Sequence, residues 1–217
     1  MITLDIISDP ICPWCLIGKT KLDRALAARP DRLFDVFWRP FQLNPDMPPE
    51  GMDRARYLET KFGGPENARR IYARIEQAAR EAGLDLDISR IARTPNTIDP
   101  HRLIRWARAA GAQPAVVDRL FESYFMRGED ISDRDLLADI AESAGMERET
   151  VARHLAGDAD IDAVRAEDVQ AREMGVSGVP TFILGGRHAL QGAQETETWT
   201  RVLDEIGALA AAADDAP

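Results

Sequence analysis

Cysteine and histidine are scarce in this sequence, which contains two cysteines and three histidines among 217 residues. Long apolar runs are missing as well, because no stretch approaches the roughly 18 residues that a membrane-spanning helix needs. The N-terminus has neither the basic segment nor the small-residue cleavage site of a signal peptide. These absences predict a cytoplasmic protein without a membrane span, in a compartment where structural disulfides are rare.

An excess of basic residues is also absent. The formal net charge is −10 and the sequence pI is about 4.9. Nucleic acids and anionic membranes attract positively charged surfaces, so we expect neither as a partner. A protein or a small molecule is the expected substrate, and both a monomer and a homodimer stay open.

The two cysteines stand close together in the motif CPWC at 12–15. A strand pattern over 2–8 precedes the motif and a helix pattern over 16–28 follows it. Two thiols at this spacing, where a strand leads into a helix, can close a small disulfide and open it again. The motif therefore predicts a thiol–disulfide enzyme.

A structural zinc site is another common use of two cysteines at this spacing. Tetrahedral zinc needs two further ligands, but the chain has no third cysteine, and His101, His154 and His188 are widely separated. A permanent disulfide is also disfavoured, since so short a loop constrains the unfolded chain very little. We predict a redox-active Cys12–Cys15 disulfide, with no metal and no other cofactor.

The position of Cys12 predicts different roles for the two thiols. Cys12 falls at the N-cap of the helix and Pro13 at its first position, where proline is favoured. A sulfur at the N-cap would face the free N–H groups of Trp14 and Cys15, which stabilise a thiolate. We expect Cys12 to attack the substrate disulfide and Cys15 to resolve the mixed disulfide. Pro13 and Trp14 are expected to contact the substrate.

The order of elements predicts a thioredoxin fold of the α/β class with an inserted all-helical domain. The first part reads β-α-β, with strands at 2–8 and 33–38, and a proline-rich loop follows. Amphipathic helical patterns then fill the middle of the chain, which ends as α-β-β-α. Each half alone is incomplete. We therefore assign 1–45 with 160–217 to the thioredoxin-like domain and 46–159 to the insertion.

Pro180 precedes a short strand pattern, and an X-Pro bond at that place is unusual. A cis bond between Val179 and Pro180 would present the Val179 backbone beside the Cys12 sulfur, where an extended substrate segment can pair with it. The residues alone leave an ordinary trans turn equally open, whereas the expected fold favours cis. Pro180 is thus a catalytic candidate and Val179 a substrate-binding candidate.

Asp5 is a carboxylate inside the first predicted strand. One interpretation puts it at an edge or on a solvated face of the sheet. The other buries it beneath the cysteines, where it accepts the proton that Cys15 must lose. We keep Asp5 as a catalytic candidate on that hypothesis. Asn44, Asn96 and His101 are further substrate-binding candidates at the cleft, although a packing or surface position suits His101 better.

Four segments together resemble the FrnE-like branch of the DsbA family. They are SDPICPWC at 8–15 with Gly18, RPF and LNP within 39–45, the stretch from NT to HRL at 96–103, and GVSGVPTF at 175–182. The resemblance covers most of the chain. It implies a thioredoxin fold with a helical insertion, dithiol–disulfide oxidoreductase or isomerase activity, and a cis bond before Pro180. Some members carry extra cysteines near the C-terminus, which this chain lacks.

The same superfamily contains 2-hydroxychromene-2-carboxylate isomerases and kappa-class glutathione transferases, which bind glutathione. Those enzymes use a serine or another group where Cys12 stands. A glutathione-dependent isomerase or transferase is therefore an alternative function, although it would leave Cys15 idle. Glutathione stays open as a co-substrate. A third interpretation is a peptide-binding or chaperone-like module without catalysis.

Overall fold

The computed structural model describes residues 2–29 and 34–214, with side chains up to residue 208. Met1, Leu33 and residues 215–217, which the predicted strand and domain limits include, lie outside the described residues. The helices and strands are β1 (Ile2–Ser8), α1 (Pro13–Ala27), β2 (Phe34–Pro40), β3 (Met52–Asp53), α2 (Arg54–Phe62), α3 (Pro65–Glu81), β4 (Arg93–Thr94), α4 (Ile98–Ala109), α5 (Gln113–Phe121), α6 (Arg134–Ser143), α7 (Arg148–Ala156), α8 (Ile161–Glu173), β5 (Thr181–Leu184), β6 (His188–Gln191) and α9 (Thr196–Asp214).

A four-stranded mixed sheet joins the two ends of the chain. Its strand order is β2-β1-β5-β6. β1 pairs with β2 in parallel and with β5 antiparallel, so Ile6 lies between Trp38 and Phe182. β5 and β6 form an antiparallel hairpin. β1 is therefore an inner strand, which fits its largely apolar sequence.

Successive side chains of β1 face two different layers. Leu4 and Ile6 point into the main core, which α1 and α9 cover. Ile7 points the other way, into a smaller core that contains Ala171 of α8 and Val176 just after it. The alternation follows from the period of two in a strand. The cysteines belong to the main core, on the α1 face of the sheet.

The segment between β2 and β5 is mainly helical, as predicted, but it is not all-helical. Met52 and Asp53 pair with Arg93 and Thr94 in a small antiparallel sheet. Gly51 allows this close approach, because its φ is +70° and a Cβ there would lie 2.7 Å from the Thr94 carbonyl oxygen. Strands of two residues leave no periodic pattern in a sequence, so β3 and β4 could not be predicted from it.

The thioredoxin fold with an inserted helical segment, predicted from the element order, is confirmed by this arrangement. The limits of the two domains at 46 and 159 stay a prediction. Within the described residues, no helix combines the length and the apolar character needed to cross a bilayer.

The outer edge of β2 is covered by a side chain instead of by another strand. Gln113, at the start of α5, is 3 % exposed. Its Oε1 accepts the Trp38 N–H at 2.9 Å, and its Nε2 donates to the Trp38 carbonyl at 3.1 Å. Nε2 also donates to the Ile104 carbonyl at 3.1 Å. The amide thus pairs with the strand edge as a neighbouring strand would, and it ties the insertion to the sheet.

Removing this amide should destabilise the protein. Gln113→Ala leaves the buried N–H and carbonyl of Trp38 without partners, so we expect the free energy of unfolding to fall by about 2–4 kcal/mol. Urea denaturation followed by circular dichroism measures the change. Gln77→Ala is the matched control, because the exposed Gln77 amide bonds only to Glu81 on the surface of α3. Equal effects of the two substitutions would contradict the role of Gln113.

Candidate active site

The turn between β1 and α1 brings the two cysteines to one end of the helix. Cys12 is the N-cap residue of α1 and Pro13 begins the helix, as predicted. The Cys12 N–H donates to the Asp9 carbonyl at 2.9 Å, and the Cys15 N–H donates to the Cys12 carbonyl at 3.0 Å. Both cysteines are free thiols. Among the described residues, no group of three or more His, Cys, Asp or Glu side chains could hold a metal ion.

The Cys12 sulfur points at the loop before β5. Its thiol donates to the Val179 carbonyl, with 3.6 Å between Sγ and the oxygen. The Val179–Pro180 peptide bond is cis, the isomer that the expected fold favours. The structure differs from the sequence analysis in one respect, since Cys12 makes no side-chain capping bond to the described N–H groups of Trp14 and Cys15. A protonated thiol is a donor, so it turns to a carbonyl oxygen.

Cys15 lies deeper than Cys12, at 1 % exposure. Burial raises the pKa of the Cys15 thiol well above its usual value, and the hydrogen bond and charge of Cys12 raise it further. The Ser8 hydroxyl and the Asp9 backbone act in the opposite direction. Cys15 is therefore a thiol at neutral pH and must lose a proton before it can attack.

Partly exposed residues surround Cys12 on the solvent side. Trp14 is 38 % exposed, although Cys12 itself is only 3 % exposed. Pro13 and Val179 are partly buried. A substrate must contact these neighbours to reach the sulfur.

Asp5 does not lie beneath the cysteines, which corrects the prediction for this residue. Leu4 and Ile6 point towards α1, so Asp5 between them points towards the opposite face of the sheet. There its Oδ1 accepts from Nε of Arg39 at 2.6 Å. Asp5 also lines a cavity of about 420 Å³ together with Ile7. The alternative of a solvated face is the observed one.

The buried carboxyl next to the cysteines belongs to Asp9, whose side chain is 0 % exposed. Its Oδ1 accepts the Ile11 N–H at 3.2 Å and its Oδ2 accepts the Leu43 N–H at 2.7 Å. Burial raises the pKa of Asp9 to about 7, because these hydrogen bonds offset only part of the desolvation and the charge of Asp168 adds to the rise. Asp9 joins the turn before Cys12 to the segment after β2.

His101 is part of the same buried group and does not line an open cleft. It is 2 % exposed. Its Nε2 lies 3.2 Å from the Phe41 carbonyl oxygen and 4.0 Å from Oδ1 of Asp9. Burial lowers the pKa of His101 to about 4, so the ring is neutral at pH 7 and donates from Nε2 to Phe41. The packing position is therefore the observed one.

Asn44 lies in the neighbourhood of the cysteines. Its Oδ1 accepts from the Tyr57 hydroxyl at 3.3 Å and from Nζ of Lys61 at 3.2 Å. Burial raises the pKa of Tyr57, and the charges of Asp9 and Cys12 add to the rise. Among the described contacts, Asn44 is linked to the cysteine turn only through the preceding residue, because the Leu43 N–H donates to Asp9.

Asn96 is engaged within the insertion, and no described contact joins it to either cysteine, so its role in substrate binding stays a prediction. Its Nδ2 donates to the Met47 carbonyl at 2.6 Å, and its Oδ1 accepts the Ile98 N–H at 2.9 Å. Both side-chain atoms are used to fix the backbone at the start of α4. Asn96 also lines a cavity of about 520 Å³ with Pro49 and Arg134, away from both cysteines.

Ser8 and Asp9 are the functional residues that sequence reasoning missed, since it treated them only as a turn. One signal was present, because a carboxylate stands three positions before Cys12 in a short turn that must pass under the start of a helix. The second partner of Asp9 carries no such signal. Leu43 is 34 positions away in the sequence, and only the folded chain brings its N–H to the carboxyl.

Comparison with known proteins gives the following matches. The family model described as DSBA-like thioredoxin domain matches residues 3–204. The crystal structure of a probable DsbA oxidoreductase from Streptomyces coelicolor is 31 % identical, with a TM-score of 0.85, and covers 96 % of this chain and 91 % of that chain.

Three more distant structures, of two proteins, are similar in fold alone. The cytosolic disulfide reductase DsbM from Pseudomonas aeruginosa is 20 % identical with a TM-score of 0.68, covering 95 % of this chain and 99 % of that one. DsbM solved with GSH gives 22 % identity and a TM-score of 0.65 over 94 % and 98 % of the two chains. A 2-hydroxychromene-2-carboxylate isomerase is 17 % identical with a TM-score of 0.67, covering 99 % and 100 %.

The raised pKa of Asp9 predicts a particular pH dependence of stability. The carboxyl has a pKa of about 7 in the folded protein against an ordinary value of 3.8, so the folded state holds one more proton between these pH values. The preference of the folded state for protonated Asp9 contributes fully to the free energy of unfolding below about pH 4. This contribution is lost as the pH rises towards 7. The stability of the wild type relative to Asp9→Asn should fall by roughly 2–4 kcal/mol across this range.

Urea denaturation in steps from about pH 4 to pH 8 measures this difference. Asp85→Asn is the matched control, because Asp85 is exposed and its substitution should leave the pH profile of the wild type unchanged. A stability difference between wild type and Asp9→Asn that is independent of pH would show that Asp9 ionises normally.

Proposed function

Because the chain belongs to the DSBA-like thioredoxin domain family, we propose that it is a thiol–disulfide oxidoreductase in which Cys12 attacks and Cys15 resolves. The observation that supports this proposal most directly is the position of Cys12. Its sulfur lies at the start of α1, 3.6 Å from the Val179 carbonyl oxygen. Cys15 stands one helical turn behind it.

In the first step the thiolate of Cys12 attacks one sulfur of the substrate disulfide. A bond forms between Sγ of Cys12 and that sulfur, and the substrate S–S bond breaks. The second substrate sulfur leaves as a thiolate and takes up a proton from solvent. Cys12 is the better first nucleophile, because burial keeps the pKa of Cys15 high and holds it as a thiol.

In the second step Cys15 loses its proton and attacks Sγ of Cys12. The Cys12–Cys15 bond forms, and the mixed disulfide releases the remaining substrate sulfur as a thiolate. Two electrons have then passed from the cysteine pair to the substrate. The Ser8 hydroxyl and the Asp9 backbone support this step, since both lower the pKa of Cys15 against the effect of burial. Deprotonation of Cys15 is expected to limit the rate.

We assign substrate binding to Pro13, Trp14 and Val179, with Asn44 beside them. Val179 is partly exposed just before β5, so its backbone can pair with an extended substrate segment. The exposed ring of Trp14 offers an apolar contact surface. Asn44 has a buried Nδ2 without a hydrogen-bond partner among the described residues, so this donor is available for a substrate carbonyl or carboxylate.

We further propose that the protein works in the cytoplasm as a reductase of protein or small-molecule disulfides. DsbM, a cytosolic disulfide reductase that has also been solved with GSH, shares this fold. Glutathione is the proposed co-substrate. Two glutathione molecules would return the Cys12–Cys15 disulfide to the dithiol and become oxidised to glutathione disulfide. Isomerisation of protein disulfides would use the same first step, with a thiol of the substrate in place of Cys15.

Serine variants of the two cysteines test the assignment of roles. Cys12→Ser should lower glutathione-dependent reduction of insulin disulfides by at least about 100-fold, because the attacking sulfur is gone. Cys15→Ser should still complete the first step and accumulate a mixed disulfide at Cys12. Insulin precipitation measures the reduction rate, and mass spectrometry of the intact protein detects the mixed disulfide.

Each serine variant is the control for the other, since the two substitutions are chemically identical and one helical turn apart. A mixed disulfide on Cys15 in the Cys12→Ser protein would reverse the roles. Glutathione-dependent isomerisation of 2-hydroxychromene-2-carboxylate that survives Cys12→Ser would favour the isomerase alternative. Suppression of insulin aggregation without reduction, retained in the double variant, would favour the peptide-binding module.

A further inference from the structure

Gly18 lies in α1, one helical turn after Cys15, and it faces the loop that contains Pro180. A Cβ at this position would lie 3.1 Å from Cγ of Pro180, 3.3 Å from Cα of Ala193 and 3.3 Å from Cζ of Phe182. Glycine costs about 1 kcal/mol relative to alanine inside a helix. The glycine at position 18 is therefore explained by the close approach of the Pro180 loop to α1 and not by helix propensity.

The three atoms around Gly18 have little freedom to move. The Ala193 atom belongs to the backbone, and the Pro180 atom belongs to a ring fused to the backbone. The Phe182 ring is 0 % exposed and packs edge to face against Trp199, with 4.8 Å between the ring centroids. A methyl group at Gly18 would therefore displace α1 from the Pro180 loop.

The far side of the Pro180 loop is held by hydrogen bonds. The Gly192 N–H donates to the Pro180 carbonyl at 2.8 Å. The Thr181 hydroxyl donates to the Gly178 carbonyl at 2.7 Å. These bonds tie the loop to its own hairpin, not to the helix. On the side of α1, the loop approaches Gly18 through the Pro180 ring, and the Cys12 thiol donates to the Val179 carbonyl.

We propose that Gly18 is a positioning residue for disulfide exchange: the absence of its side chain sets the spacing between the Cys12 sulfur and the Val179–Pro180 peptide. The proposal rests on the function proposed above. Only at this spacing is the disulfide of a peptide that pairs with the Val179 backbone aligned for attack by the Cys12 sulfur. A small alkylating reagent needs no such pairing and does not depend on it.

Gly18→Ala separates these two reactions. We expect exchange of Cys12 with a short peptide carrying a thiopyridyl disulfide to slow by about tenfold, since displacements well below 1 Å misalign the reacting sulfurs. Alkylation of Cys12 by iodoacetamide should change by less than about twofold. Both rates are measured on the same samples in the Cys15→Ser background, so that only Cys12 reacts, and circular dichroism checks that the variants compared are equally folded.

Gly157→Ala is the matched control. Gly157 has φ −104°, and a Cβ there would find no atom nearer than 4.0 Å, so the same change should leave both rates as in the parent protein. Equal slowing of exchange and alkylation in Gly18→Ala would overturn the proposal. Loss of the fold in Gly18→Ala, measured by circular dichroism, would also overturn the proposal, because Gly18 would then be required for the packing of the whole core.

The parent protein in this experiment is the Cys15→Ser variant, which retains Gly18. Its rates separate this proposal from the proposed function. Absence of exchange in the parent, with normal alkylation of Cys12, would refute the oxidoreductase function itself. Normal exchange in the parent and an unchanged ratio of rates in Gly18→Ala would refute only the role of Gly18.

Discussion

The buried carboxyl of Asp9 is the contact on which the geometry of the site depends. It accepts one backbone N–H from its own turn, at Ile11, and one from Leu43 after β2. The segment after β2 is fixed from its other side as well, since Asp168 of α8 accepts the Gln42 N–H at 2.8 Å. Two carboxylates thus hold this segment between the cysteine turn and α8. The two N–H groups hold the Asp9 side chain in place although burial disfavours its charged form.

The difference between the two thiols follows from their surroundings and not from their identity. Both thiols lie in the main core, but Cys12 donates to the Val179 carbonyl, whereas Cys15 lies one helical turn further in, beside Ser8 and the Asp9 backbone. Burial raises the pKa of Cys15, while the Ser8 hydroxyl opposes the rise. One helical turn is therefore enough to give two chemically identical side chains different surroundings, and the proposed division of roles depends on this difference.

The fold could be predicted from the sequence because its evidence is local. A strand before CPWC, a proline at the first helical position and amphipathic periods in the insertion each act over a few residues. The site could be predicted at Cys12 and Pro13, where the evidence is local, and at Val179 and Pro180, which the expected fold places beside Cys12. Asp5 was assigned to the wrong face, since a single strand does not reveal which of its faces carries α1. Asp9 and Gly18 depend on Leu43 and Pro180, and no pattern in one sequence links positions so far apart.

The contact of Gln113 with Trp38 makes the edge of the four-stranded sheet depend on the inserted helical segment. A sheet edge with open N–H and carbonyl groups invites pairing with the sheet of another molecule. Here the insertion supplies the amide that occupies this edge. The helical segment therefore completes the sheet: without it, the Trp38 N–H and carbonyl at the edge of β2 would be open to pairing with another chain.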